Sequence, residues 1–170
     1  MNHKARGFDR QIASRARRHV EARRPRFEAS RTQKEELAKR FFAAVGQGDL
    51  GGLMELLAAD VVMVGDGGGK APAIRHPLSG SERVARFLIA VVLGVGRVEV
   101  QIRPAEVNGQ PGAVAFDRDG RLVNVFSLDI VGRSVQTIRA ILNPDKLQHL
   151  GPVADVGRLL RESRKGEPRT

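Results

Sequence analysis

Apolar residues follow two different rhythms along this chain, and the change of rhythm falls near Gly96. Phe8, Ile12, Ala16 and Val20 recur at every fourth position in a stretch without proline or internal glycine, which predicts a helix with a narrow apolar stripe that Pro25 ends. Thr32-Gln33-Lys34-Glu35 has the form of a capping box. It predicts a helix with Leu37, Phe41 and Val45 inward, closed by Gly46 and Gly48. Asp49 is placed to cap a short helix carrying Leu50, Leu53, Met54, Leu56 and Leu57, and Asp60 to open the strand Val61–Val64. Ser79 or Ser81 caps a further helix with Val84, Phe87, Leu88 and Val91 inward, ended by Gly94 and Gly96.

Beyond Gly96 the period becomes two. Val98, Val100 and Ile102 alternate with polar residues, and Asn108-Gly109 is a hairpin signal. Gly112–Phe116, Leu122–Ile130 and Val135–Leu142 follow, separated by turns at Asp119-Gly120 and Gly132. A helix-rich first half and a strand-rich second half predict an α+β fold, with three helices on a curved, mostly antiparallel sheet and a basic helix in front. After Pro152 a weak amphipathic segment, Val156, Leu159 and Leu160, leads to Arg161–Thr170, expected to be a disordered tail. The expected division is 1–27, 28–153 and 154–170.

Charge sharpens this division. The net charge of +10 is concentrated in residues 1–40, where 13 Lys/Arg face 5 Asp/Glu. A basic arm on an otherwise balanced domain points to nucleic acid or an acidic partner. On the first predicted helix Gln11, Ser14, Arg15 and Arg18 lie off the apolar stripe, as a helix reading a DNA groove requires, and equally as a solvated basic helix would. There are no cysteines, which excludes disulfides and thiol chemistry and suits a cytoplasmic protein. The four histidines have no metal-ligand spacing, so no metal and no cofactor is expected. The longest apolar run, Phe87–Leu93, is too short to cross a bilayer, so no membrane partner is expected.

Two segments carry the candidate chemistry. Asp66-Gly67-Gly68-Gly69-Lys70 stops a β-branched run with three glycines between opposite charges, which suits either a tight corner or a contact surface. A Walker phosphate loop is excluded, because Ala71 rather than a hydroxyl residue follows Lys70; a generic anion nest of glycine N–H groups is the other ligand reading. Asn143-Pro144-Asp145-Lys146-Leu147 ends the last strand. Proline cannot donate to a ladder, so Asp145 and Lys146 are expected outside the sheet while Leu147 tucks back.

The order of elements resembles the cone shared by SnoaL-like polyketide cyclases, ketosteroid isomerase and nuclear transport factor relatives. That resemblance implies a carboxylate inside the cone as general base, for which Asp66, Asp117 and Asp129 are available. The chain has no Tyr or Trp to serve as acid, Asp117 falls in a turn, and Asp129 faces away from Leu128 and Ile130. No catalytic residue is therefore assigned, and a small-molecule-binding or cyclase/isomerase-type enzyme of this fold is the alternative rather than the leading reading.

A narrower resemblance rests on several stretches together. Arg10-Gln11-Ile12-Ala13-Ser14-Arg15-Ala16-Arg17-Arg18 resembles the recognition helix of region 4 in extracytoplasmic-function sigma factors. Glu21–Phe27, Asp66–Lys70, Val107–Gly112 and Asn143–Leu147 resemble the group of those factors with a fused SnoaL-like C-terminal domain. This implies DNA contacts from Arg10, Gln11, Ser14, Arg15, Arg17 and Arg18, and a regulator whose two later motifs, Asp66–Lys70 and Asn143–Leu147, contact the sigma core. The implied partners are the sigma core regions and RNA polymerase, promoter DNA and a small-molecule effector. Only Met1–Asp9 precedes the first helix, where an intact member carries its promoter-melting module. The chain is thus expected not to initiate transcription alone, and to bind DNA weakly, because an isolated helix of about 15 residues is marginal in water. A basic protein binding nucleic acid without sequence preference is the third reading.

Overall fold

Ser30, not Thr32, caps the first helix of the described residues. In the computed structural model, which describes residues 29–95 and 100–165, the Gln33 backbone N–H donates to the Ser30 hydroxyl and the Ser30 N–H donates to the Gln33 side chain. The capping box is real but begins before the expected one, and helix α1 runs Arg31–Gln47. Gly48 ends it at φ 69°, where a side chain would be strained. Asp49 accepts from the Gly52 N–H and caps α2, Leu50–Leu56; α3 spans Ser81–Val95.

Among the described residues six strands form one sheet: β1 Leu57–Asp66, β2 Leu78–Ser79, β3 Gln101–Val107, β4 Gln110–Phe116, β5 Leu122–Val131 and β6 Ser134–Ile141, in the order β2-β1-β6-β5-β4-β3. The β3–β4 hairpin turns through Asn108 and Gly109, both at positive φ, which is the geometry that dipeptide favours. Strand β1 starts at Leu57, ahead of Asp60, because the C-cap of α2 is already extended.

The expectation of a cone with three helices on a curved, mostly antiparallel sheet is corrected here. The fold is α+β, but the sheet is open, with β2 and β3 at opposite edges, and mixed, because β1 joins β6 in parallel. The described residues hold five α-helices rather than three; α4 is Pro144–Leu147 and α5 is Val156–Lys165, with a 3-10 turn at Gln148–Leu150. The segment through Lys165, expected to be tail from Arg161, is helical because Val156 and Leu159 find a buried place against Ala115 and Val123.

Register assigns each strand residue to a face. Met63 pairs with Ile138, which pairs with Leu128; Ala140 pairs with Phe126, which pairs with Ala113. These face α1, α2 and α3, whose Phe41, Leu53 and Val84 are fully buried against them. Asp66 pairs with Ile141, Ile141 with Val125, and Val125 with Val114, and this row belongs to the other face. There Leu147 of α4 packs with Leu122 and Val125. The chain then ties itself to the start of β5, the Leu122 N–H donating to the Pro152 carbonyl and the Ala154 N–H to the Leu122 carbonyl, and passes to the helix-covered face as α5.

Candidate functional site: a clasp between two strand ends

The parallel pairing of β1 with β6 places the two candidate motifs side by side, because both strands point the same way and end together at the Asp66–Ile141 pair. The Leu142 N–H extends the ladder by one bond to the Asp66 carbonyl, 2.7 Å away. From there Asp66–Lys70 turns over the start of α4.

Each motif folds on itself first. The Asp66 carboxylate accepts from the Gly68 N–H at 3.0 Å, and the Gly67 carbonyl accepts from the N–H groups of Lys70 and Ala71. Asn143 does the same at the start of α4, its side-chain oxygen accepting from the Asp145 N–H at 3.1 Å, with Pro144 fixing the first turn. The motifs then lock crosswise. The Lys70 ammonium donates to both Asp145 oxygens at 2.8 Å, and Lys146 reaches Asp66 at 2.7 Å. The Asn143 amide adds a longer contact to Asp66 at 3.4 Å.

Glycine is required at the contact. Gly68 has φ +60°, and a Cβ built there would meet the Asn143 side chain at 2.4 Å; a Cβ on Gly67 would meet the Ala71 carbonyl oxygen at 2.1 Å. Two of the three glycines therefore stand where side chains cannot fit. Gly67 and Asn143 are buried, whereas Gly68, Gly69, Lys70, Asp145 and Lys146 are exposed. Leu147 is only 2% exposed and belongs to the interior rather than the surface.

The Lys146 hydrogen bond holds the Asp66 carboxyl below the usual carboxylate range, helped by the Gly68 N–H and the Asn143 amide and opposed by partial burial. Its charge is thus committed to the clasp. The other two carboxylates considered as bases are elsewhere. Asp117 is buried in a turn and accepts from the Asp119 and Arg121 N–H groups. Asp129 pairs with Thr137 on the strand face away from Leu128. By register Asp66 and Asp129 both lie off the helix-covered face, and Asp117 is tied into its own turn.

Arg10, Gln11, Ser14, Arg15, Arg17 and Arg18 lie outside the described residues. Sequence reasoning passed over Asn124, a polar residue in the apolar run of β5, whose side-chain oxygen is enclosed without a hydrogen-bond partner. Its only advance signal was a carboxamide between Val123 and Val125. Among the described residues there is no cluster of three or more metal-ligating side chains, and no helix long and apolar enough to cross a membrane.

The chain is 32% identical over 146 residues to the ECF RNA polymerase sigma factor SigJ of Mycobacterium tuberculosis, covering 81% of this chain and 46% of that protein. The crystal structure of that factor superposes with a TM-score of 0.60 at 31% identity, covering 81% of this chain and 49% of the other. The chain thus spans about half the length of this relative, corresponding roughly to its C-terminal SnoaL portion. A de novo designed protein with a curved β-sheet shares the fold alone, at a TM-score of 0.52 and 16% identity over 79% of this chain and 99% of the design. The SnoaL-like domain profile matches residues 38–154, well over half the sequence, and the chain belongs to that family.

Proposed function

We propose that this chain is the SnoaL-like regulatory portion of an extracytoplasmic-function sigma factor, and that it acts on the sigma core through the surface built by Asp66–Lys70 and Asn143–Leu147. The observation that carries the reading is the crosswise lock of two segments more than 70 positions apart, presented at one end of the sheet. The lock holds the exposed glycine backbone and two ammonium groups in fixed positions, a rigid polar surface suited to a protein partner. The relation to a sigma factor supplies the class of partner.

The domain is a regulator rather than a catalyst. Of its three candidate carboxylates, Asp117 is spent on a turn, Asp66 on the clasp, and Asp129 faces away from the helix-covered side of the sheet. The basic residues Arg10 to Arg18 supply phosphate contacts to promoter DNA, with affinity that falls steeply with salt.

Affinity measurement with a sigma core tests this, using regions 2 and 4 of the SigJ relative without its SnoaL-like portion. Lys70→Ala with Lys146→Ala should weaken capture by about tenfold or more, since charges at an interface centre weigh far more than exposed ones. Unchanged capture by a folded double variant overturns the assignment of this surface.

A further inference from the structure

We propose that the face of the sheet turned away from α1, α2 and α3 is a second docking surface for the sigma core, and that it receives an acidic segment of that partner, with a carboxylate on Arg139 and Ser127 and a neighbouring N–H or O–H donor on Gln110. This rests on the regulatory reading above and adds to it a surface separate from the clasp, together with the chemistry of its occupant.

Register brings the three residues onto one face. Val64 pairs with Arg139, Arg139 with Ser127, Ser127 with Gly112 and Gly112 with Ala105, in the row next to the one that starts at Asp66. One row further, Thr137 pairs with Asp129, and Gln110, two residues before Gly112, pairs with Val107. The polar side chains thus gather across β6, β5 and β4. Val62 and Val64 flank them on one side and Val107 and Val114 on the other, all four half-buried. A polar patch with an arginine between apolar flanks has the make-up of a protein interface.

The hydrogen bonding of this patch is incomplete. Ser127 is only 7% exposed, and its hydroxyl has no hydrogen-bond partner among the described residues. Gly112 beside it carries no side chain to cover it, and a Cβ there would meet the Phe126 carbonyl oxygen at 2.1 Å. Gln110 Oε1 is enclosed without a partner. Arg139 is exposed and joins no ion pair among the described residues, although Asp129 lies one row away on the adjacent strand. Enclosed polar groups left without partners are costly in a free domain, and a partner that supplies them recovers that cost.

Charge names the occupant. The cations of this face are Arg139 and Arg103, the latter over the Phe116 ring at 4.7 Å, and its carboxylates are Asp129 and Asp66, which Lys146 already holds. An acidic segment fits that balance, since a carboxylate accepts well from a guanidinium and a hydroxyl together. A second copy of this chain would set one net positive face against another. In the SigJ relative the rest of the factor belongs to the same chain, which raises its local concentration far above that of a second copy.

The test uses the full chain and regions 2 and 4 of the SigJ relative without its SnoaL-like portion. Arg139→Glu should weaken capture by about tenfold or more and Ser127→Ala by about threefold, while Arg139→Lys, which keeps the charge, should stay within about threefold of wild type. The Lys70→Ala, Lys146→Ala double variant measured alongside separates the two surfaces. If that variant loses capture while folded Arg139→Glu and Ser127→Ala retain it, this docking surface is overturned and the clasp reading stands; if Arg139→Glu loses capture and the lysine variant does not, this surface stands and the clasp assignment falls. Absence of capture by wild type overturns both. Sedimentation velocity supplies the remaining arm: a dimer that Arg139→Glu converts to monomer with sigma-core capture unchanged makes the occupant a second copy and overturns the proposal.

Discussion

The main core and the clasp lie on one sheet and are held by opposite means. Under α1, α2 and α3 the side chains of Phe41, Leu53, Leu128 and Ile138 are buried with no polar contact to define their neighbours. At the ends of β1 and β6 nearly every contact is polar, directional and close to solvent. The hydrophobic side supplies free energy in proportion to area and tolerates many arrangements. The clasp supplies little energy but fixes one geometry, since each ion pair is exposed on at least one side and worth only about 0–1 kcal/mol. A fold needs the first; a recognition surface needs the second.

Truncation separates the two most sharply. Phe41→Ala and Leu53→Ala should each destabilise the domain by about 3–5 kcal/mol, because both are fully enclosed and the rigid sheet cannot collapse into the space left. Chemical denaturation measures this; a cost near that of a surface change would show that the helix layer is not the source of stability.

Leu147 tests the boundary between the regions, since it comes from the second motif but is buried with Leu122 and Val125. Leu147→Ala should cost about 2–4 kcal/mol and should also weaken sigma-core capture, because α4 loses its anchor. A normal melting temperature would place Leu147 with the surface residues instead.

Gly68→Ala should cost roughly 1–3 kcal/mol, from a side chain at positive φ and a collision with Asn143. Pairing it with Asn143→Ala makes the comparison finer. If the collision dominates, the double variant recovers part of the loss; if only backbone strain matters, the two costs add.

Lys70→Ala should shift stability by only about 0–1 kcal/mol, since both partners are more than half exposed. The smallest effect is acid sensitivity at Asp66. Its native pKa is held below the unfolded value by Lys146, so its contribution is present above the ordinary carboxylate value of about 4 and is lost as pH falls through the lower native value. Thermal melting of wild type and Asp66→Asn should differ at neutral pH and converge in acid; a gap that widens in acid would reverse the assigned sign.

Local pattern alone determined much of this protein. The stripe Leu37, Phe41 and Val45 is buried, Asp49 caps its short helix, and Asn108-Gly109 turns its hairpin, because spacing, capping and positive φ are properties of a few neighbouring residues. The two motifs could also be singled out, since consecutive glycines between charges and a strand-ending Asn-Pro are visible without a structure. Tertiary structure decided the rest. That β1 lies parallel to β6, so that Asp66 meets Lys146 and Lys70 meets Asp145, depends on a pairing between residues more than 70 positions apart that no local period encodes. The length of α5 was equally hidden, because a short basic helix is unstable until Ala115 and Val123 cover its apolar side. Asn124 makes the same point: composition shows a polar residue in a strand, and only the register and the bulge at Val123 turn it toward the helix-covered face.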